Sequence, residues 1–173
     1  MTEHANANRA WVFGDNIDTD ALAPGLYIKG PVEELARHCL EVVDPAFAAE
    51  VCAGDVVVAG RNFGIGSSRE QAVQALNILG VAAVIAESFG GIFYRNALNL
   101  GLVAVVCPST VAIKSGDRLA VDAFAGTVRN ETRNESYDCE PLPSHLLSMI
   151  EDGGLVPHLE KRFAAERATG SKA

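Results

Sequence analysis

The sequence predicts an α/β fold on two grounds. Apolar runs with strand character alternate with stretches of helical periodicity up to about residue 106. At residues 60–70, a glycine-rich turn joins one of these apolar runs directly to a helical pattern. With 173 residues and 49% hydrophobic content, the chain is long enough to bury one core. We therefore expect a single domain over residues 1–173, ordered at about residues 10–167, with flexible termini.

The predicted strands are short and apolar, and the helices that alternate with them are longer. Apolar residues recur at helical spacing after Pro31, a residue that suits the first turn of a helix. This spacing predicts a buried helical face made of Val32, Leu35, Cys39 and Val43. The predicted strands are residues 10–13, 55–59, 82–86 and 102–106, and the predicted helices are residues 31–43, 68–79 and 91–100.

The pattern changes after Pro108 to shorter and more polar strands. Turn sequences at residues 115–117 and near Gly126 separate them, which predicts a second, antiparallel sheet. Amphipathic segments at residues 142–150 and 156–163 then close the domain, and residues 168–173 have the composition of a frayed tail.

Charge excludes two classes of partner. The net charge of −8 argues against nucleic acid and anionic membranes, since both require a basic surface. The N-terminus lacks a basic region followed by an apolar run, and no apolar stretch is long enough to span a bilayer. We expect a cytoplasmic protein.

The cysteines and histidines are scattered rather than clustered. Cysteines occur at positions 39, 52, 107 and 139, and none forms a Cys-x-x-Cys pair. Zinc and iron–sulfur sites gather their thiolates at short spacings, so we expect reduced thiols and no metal bound by this chain. We expect surface or helix positions for His4, His38, His145 and His158.

The glycine-rich turn has the composition of an anion site. Gly64 and Gly66 let the backbone approach a ligand, and the N–H groups that open the next helix point at that ligand. Ser67 and Ser68 add hydroxyl groups, and the guanidinium of Arg69 matches a carboxylate or phosphate. The turn is neither a P-loop nor a complete dinucleotide fingerprint. A serine here is commonly a helix cap, and a serine hydrolase would need a distant base such as His38 or His145.

Three ordered motifs resemble the small subunit of the aconitase superfamily, the group that contains isopropylmalate dehydratase. They are Asn-Ile-Asp-Thr-Asp at residues 16–20, Gly-Ile-Gly-Ser-Ser-Arg-Glu at 64–70 and Glu-Ser-Phe-Gly-Gly-Ile-Phe-Tyr-Arg-Asn at 87–96. The likeness extends from about residue 11 to about residue 155. It implies a swivelling β/β/α domain, which in aconitase closes over the active site and in the two-chain enzymes is a separate chain.

The resemblance also implies roles for the turn. Ser67 corresponds to the general base that removes or returns a proton next to a carboxylate, and Arg69 corresponds to the arginine that binds substrate carboxylate. Ser68 and the amides of Gly64 and Gly66 would help to hold carboxylate oxygens.

The first motif and the loop after it complete the implied site. Asp20 matches the aspartate that orients a histidine of the large subunit, while turn or capping hydrogen bonds are the alternative for the Asp-Thr-Asp segment. Lys29 stands at the position that selects the substrate, where an arginine favours a carboxylate and an apolar residue favours an alkyl group. A lysine favours a polar-tailed or small substrate, with isopropylmalate as the alternative.

The implied activity needs a partner chain. It is that of a hydro-lyase of hydroxy acids of the isopropylmalate, methylmalate or homoaconitate type, as in leucine biosynthesis. A large subunit carries the 4Fe-4S cluster, in a heterodimer or heterotetramer. Three positions depart from the family pattern, since Ile65, Gln71 and Gly91 replace a common cysteine, histidine and arginine. A stand-alone module that binds a carboxylate or phosphate is the rival hypothesis.

Overall fold

A four-stranded parallel sheet forms the centre of the protein. The structure is a computed structural model that describes residues 8–170. The strands are β1 (Ala10–Val12), β2 (Val56–Ala59), β3 (Ala83–Ala86) and β4 (Val103–Val106), in the order β1-β2-β3-β4. Every residue of β2 and β3 is buried, which explains why both strands are continuously apolar in sequence. All four strands predicted in this half of the chain are confirmed.

Five helices of the first half precede or follow these strands. Apolar residues of α1, α2, α4 and α5 pack against Val57, Val84 and Ala104 on one face of the sheet. Two short 3₁₀ turns, Gly25–Tyr27 and Thr110–Ala112, lie in the connections. The helices are α1 (Thr19–Leu22), α2 (Val32–Ala36), α3 (Phe47–Glu50), α4 (Gln71–Ile78) and α5 (Gly91–Asn99).

A second sheet covers the opposite face. Strands β5 (Leu119–Asp122), β6 (Thr127–Asn130) and β7 (Glu135–Asp138) pair antiparallel, as predicted. Their buried residues Leu119 and Val128 pack against Val56, Val58 and Ile85 of the parallel sheet. The molecule therefore has three layers, with the parallel sheet between the helices and the antiparallel sheet.

Two predicted helices in the first half are shorter than expected. The helix predicted for residues 31–43 ends at Ala36, because Leu40 adopts a left-handed φ of 61° and its N–H donates to Ala21 O at 2.8 Å. Val43, predicted to be buried on this helix, is instead 46% exposed. The helix predicted for residues 68–79 begins only at Gln71.

The C-terminal helices differ more from the prediction. Helix α6 is Ser144–Glu151, and α7 is Leu155–Gly170, longer than the predicted segment 156–163. No residue of α7 is buried, so the amphipathic assignment of that segment was wrong. Residues 168–170, predicted as a frayed tail, are helical. Residues 1–7 with His4, and residues 171–173, lie outside the described part of the chain.

No helix within residues 8–170 is both long and apolar enough to cross a membrane.

Candidate active site

The glycine-rich turn continues the parallel sheet beyond the end of β2. On one side it pairs with the segment that follows β1, since Gly64 N–H donates to Ile17 O at 2.6 Å and Thr19 N–H donates to Ile65 O at 2.8 Å. These bonds form an isolated parallel bridge between Asp18 and Ile65. The first two sequence motifs are therefore joined backbone to backbone.

On its other side the turn pairs with the third motif. Phe63 N–H donates to Ser88 O at 3.0 Å, and Gly90 N–H donates to Phe63 O at 2.8 Å. The three segments that follow β1, β2 and β3 thus lie side by side at the carboxyl edge of the sheet, where open α/β sheets place their ligands.

Close packing beneath the turn requires a glycine at position 64. Gly64 has a φ of +78°, and a Cβ built on it would lie 2.2 Å from Cγ of Phe93. Phe93 is 1% exposed and packs edge-on against Phe63, with ring centroids 5.2 Å apart. The turn therefore rests directly on the aromatic core.

Ser67 lies at the centre of the paired motifs. Its N–H donates to Thr19 Oγ1 at 2.9 Å, and its own Oγ lies 3.0 Å from the same Thr19 oxygen. The predicted alternative, a helix cap, is not observed, because α4 begins at Gln71 and Glu70 occupies the N-cap position. Within the Asp-Thr-Asp segment, Asp18 makes the predicted capping bond to Ala21 N–H, whereas no role at Ser67 was predicted for Thr19.

Arg69 is held by the first motif as well. Its Nη1 donates to Asp20 Oδ1 and, at 3.3 Å, to Ala23 O. Within the described residues, no acceptor contacts its Nε or Nη2, so donors remain for a ligand. The Asp20 side chain is 71% exposed and that of Arg69 is 30% exposed. The pair therefore lies at the open surface.

The backbone of the turn contributes further donors. The carbonyl of Ser68 accepts from the Asn96 side chain at 3.3 Å. Across residues 8–170, no acceptor contacts the amides of Ser68 and Arg69, which leaves them for an anion. The Gly64 amide, in contrast, is already bound to Ile17.

The selecting loop predicted around Lys29, residues 24–30, is anchored through Tyr27 rather than through Lys29. Lys29 is exposed. Tyr27 stacks on the His38 ring at a centroid distance of 3.6 Å and an interplanar angle of 5°. His38 Nδ1 lies 2.6 Å from Glu41 Oε2, and this hydrogen bond, with a contribution from Glu34, raises the pKa of His38 above 6.5.

The paired motifs form only a shallow depression. Its volume is about 150 Å³, and residues 64–67 and 90–92 line it. A larger cavity of about 370 Å³ lies near Asp15, Glu87 and Lys114, but it includes none of the predicted site residues. Of the predicted site residues, Gly64, Gly66 and Ser67 therefore line the smaller depression.

Comparison with known proteins identifies the family of this chain. A sequence profile of the aconitase C-terminal domain matches residues 22–110. The chain belongs to the aconitase C-terminal domain family. This confirms the predicted resemblance.

Members of this family that resemble the chain do so over almost their whole length. It is 49% identical over 154 residues to the methanogen homoaconitase small subunit of Methanothermobacter thermautotrophicus, covering 88% of this chain and 89% of that protein. It is 51% identical over 149 residues to 3-isopropylmalate dehydratase small subunit 1 of Archaeoglobus fulgidus, covering 86% and 92%. The crystal structure of 3-isopropylmalate dehydratase from Methanocaldococcus jannaschii is similar with a TM-score of 0.88 and 43% identity, covering 94% and 97%. The predicted β/β/α fold class is confirmed.

The cysteines of this family member do not fit an iron–sulfur cluster. Among the described residues, no three His, Cys, Asp or Glu side chains lie close enough together to hold a metal ion. Cys39 is buried and Cys52 is exposed. Cys107 and Cys139 contact each other, which lowers the pKa of the Cys107 thiol and raises that of Cys139. Two neighbouring thiols are fewer than a cluster requires.

Substitution of Gly64 by alanine tests the packing beneath the turn. We expect Gly64→Ala to lower the free energy of unfolding by about 2–4 kcal/mol, because it adds a left-handed φ penalty to a clash with Phe93. Gly91→Ala is the matched control, since a Cβ there meets nothing within 4 Å. Urea denaturation followed by circular dichroism measures both. Equal stability of the two variants would contradict the packing argument.

The His38 contacts predict a pH-dependent stability. Because its pKa is raised in the folded state, His38 contributes stability that is fully present below pH 6.5 and is lost as the pH rises through the folded pKa. The groups that face its ring are Glu34, Glu41 and Tyr27. We expect the difference in unfolding free energy between wild type and His38→Gln to shrink as the pH rises above 6.5. His145→Gln, at an exposed position, is the control, and a pH-independent difference for His38→Gln would refute the prediction.

Proposed function

We propose that this chain is the small subunit of a two-chain hydro-lyase that isomerises or (de)hydrates a 2- or 3-hydroxy carboxylic acid. The names of the relatives support it, since they are small subunits of a homoaconitase and of a 3-isopropylmalate dehydratase. The observation that carries the proposal is the position of Ser67, which bonds to Thr19 of the first motif, while Arg69, two residues later, bonds to Asp20 of the same motif. The proposal includes a cytoplasmic location and a role in amino-acid biosynthesis, with leucine as the first candidate.

Ser67 is the base in this proposal. Its Oγ removes a proton from the carbon next to a substrate carboxylate and returns a proton in the reverse direction. A serine oxygen needs strong stabilisation to lose its own proton, and the free amides of Ser68 and Arg69 and the guanidinium of Arg69 supply positive potential at this end of the turn.

Arg69 binds the substrate carboxylate, and Asp20 holds the Arg69 side chain in place. The guanidinium uses Nη1 for Asp20 and keeps Nε and Nη2 for two parallel bonds to the substrate. The exposed Asp20 remains open to a histidine of the large subunit through its second oxygen. The Gly66 amide and Ser68 complete the carboxylate contacts, whereas Gly64 forms the turn and its amide serves Ile17.

The large subunit is the second half of the proposed enzyme. There a four-iron cluster would supply the Lewis acid that takes up and releases the substrate hydroxyl. The open depression at Ser67 and the exposed side chains of Leu26 and Ile92 beside the site residues suit a surface that another chain covers.

The rival hypotheses receive less support. A stand-alone binding module does not agree with relatives that are subunits of dehydratases over nearly their whole length. A serine hydrolase would need a histidine at Ser67, yet the side-chain partner of Ser67 within the described residues is Thr19, and His38 is engaged by Glu41.

Anaerobic purification of the tagged chain from its native cells tests the function. We expect a larger, cluster-bearing chain in equal amount and turnover of a hydroxy-acid substrate by the complex. In that complex we expect Ser67→Ala to lower kcat by about 10²–10⁴-fold, the usual effect of losing a positioned base. Ser148→Ala, on an exposed position of α6, is the control. A full-rate Ser67→Ala complex would exclude the base assignment.

Replacement of Lys29 tests the proposed substrate class. Wild-type complex should favour hydroxy acids with a carboxylate or other polar tail over those with an alkyl tail, because an ammonium is costly to bury against an alkyl group. We expect Lys29→Leu to shift the ratio of kcat/KM values for the two classes at least about tenfold toward alkyl tails. Lys114→Leu is a matched control, since Lys114 is also exposed but lies outside residues 24–30. Preference for isopropylmalate by the unsubstituted complex would show that Lys29 turns to water instead.

A further inference from the structure

The hydroxyl of Thr19 is buried directly against Ser67. Thr19 is 2% exposed, and its Oγ1 accepts a hydrogen bond from Ser67 N–H at 2.9 Å. The same oxygen lies 3.0 Å from Ser67 Oγ. The two residues are 48 positions apart in sequence, so the fold brings this pair together.

The surrounding backbone fixes Thr19 at that place. Its own N–H donates to Ile65 O at 2.8 Å, two residues before Ser67. Gly66 lies between them with a φ of +117°, and a Cβ at this position would lie 2.9 Å from Thr19 Oγ1. The absence of a side chain at position 66 therefore leaves room for the Thr19 hydroxyl beside Ser67.

The hydrogen-bonding capacity of the two hydroxyls assigns a direction to their contact. A threonine hydroxyl has one proton and two lone pairs, and Ser67 N–H occupies one of those lone pairs. While Ser67 is protonated, either hydroxyl can donate to the other. Once Ser67 Oγ has lost its proton it can only accept, so the Thr19 proton must point at it.

We propose that Thr19 stabilises the deprotonated oxygen of Ser67 by donating a hydrogen bond to it. The inference rests on the proposed function of Ser67 as the base. Thr19 keeps its own proton throughout, while the proton from the substrate carbon goes to Ser67 Oγ. Because the Thr19 hydroxyl is shielded from water, its bond to a charged acceptor is strengthened, and the amide contact holds Ser67 in the position where that bond forms.

A purely structural role for Thr19 predicts a different result. If Thr19 only linked the two loops, its loss would affect stability and assembly, but it would leave the pKa of the Ser67 hydroxyl unchanged. As a donor to Ser67, it changes how readily that oxygen loses its proton, which moves the pH dependence of kcat.

The test uses the assembled two-chain enzyme with Thr19→Val and Thr19→Ser. Valine has the shape of threonine without its hydroxyl, whereas serine keeps the hydroxyl and loses the methyl group. We expect Thr19→Val to lower kcat by about 10²-fold with little change in KM, as for loss of one oxyanion donor. We also expect the rising limb of its kcat–pH profile to move to higher pH by about one unit. Thr19→Ser should stay within about threefold of wild type, because the donor is kept.

Two further variants serve as controls. Thr110→Val removes another buried threonine hydroxyl, which donates to Glu87 Oε1 at 3.3 Å away from Ser67, and it should leave kcat unchanged. If Thr19→Val does not assemble, Thr19→Ala replaces it, because alanine removes the hydroxyl without placing a methyl group against the Ser67 amide. The same loss and shift are expected.

Each outcome decides the question. The inference is overturned if the hydroxyl-free variant keeps its rate and pH profile, or if Thr19→Ser is as defective as Thr19→Val. Adding Thr19→Val to Ser67→Ala should cost nothing more, since the donor acts through Ser67, and a further loss would contradict the inference. Ser67→Ala alone separates the two proposals: if it is fully active, the assignment of Ser67 as the base fails and the role of Thr19 fails with it, and if it is inactive while Thr19→Val is fully active, only the role of Thr19 fails.

Discussion

The site depends on hydrogen bonding that continues past the ends of the parallel strands. The glycine-rich turn accepts and donates on both sides, to the segment after β1 and to the segment after β3, so it behaves as a central strand without regular strand geometry. This pairing requires a backbone without side chains where Gly64 meets Phe93 and where Gly66 meets Thr19. This pairing brings Ser67 into contact with Thr19, although the two residues are 48 positions apart in sequence.

The parts of the fold that sequence predicts well are those where local pattern and burial agree. Strands β2 and β3 are apolar at every position because both faces of the sheet are covered. The lengths of these apolar runs predicted where each strand begins and ends to within one or two residues. The antiparallel sheet followed from turn residues such as Gly126, whose φ is +71°. The glycine-rich turn was identifiable because its residue types suit one geometry.

The errors arose where distant contacts overrode the local pattern. Helical spacing continues through Val43, but a hydrogen bond from Leu40 to Ala21 turns the chain after Ala36, and no local signal marks a leucine in the left-handed region. The capping hydrogen bond predicted for the Asp-Thr-Asp segment is present at Asp18, which accepts from Ala21 N–H, but the contact of Thr19 with Ser67 in another motif was not predicted. Pairings such as Asp20 with Arg69 depend on tertiary register, which periodicity does not contain.

The distribution of charge supports the proposal that a second chain completes this site. The chain carries a net charge of −8, and Asp20 already neutralises part of Arg69, so the depression has little excess positive charge of its own. A carboxylate at Ser67 would still face water on the open side, where screening weakens each contact. In the proposed enzyme, a second chain that covers the depression would remove that water and strengthen the bonds from Arg69 to the carboxylate. In the proposed enzyme, assembly therefore supplies the low-dielectric surroundings that allow Ser67 to act as a base.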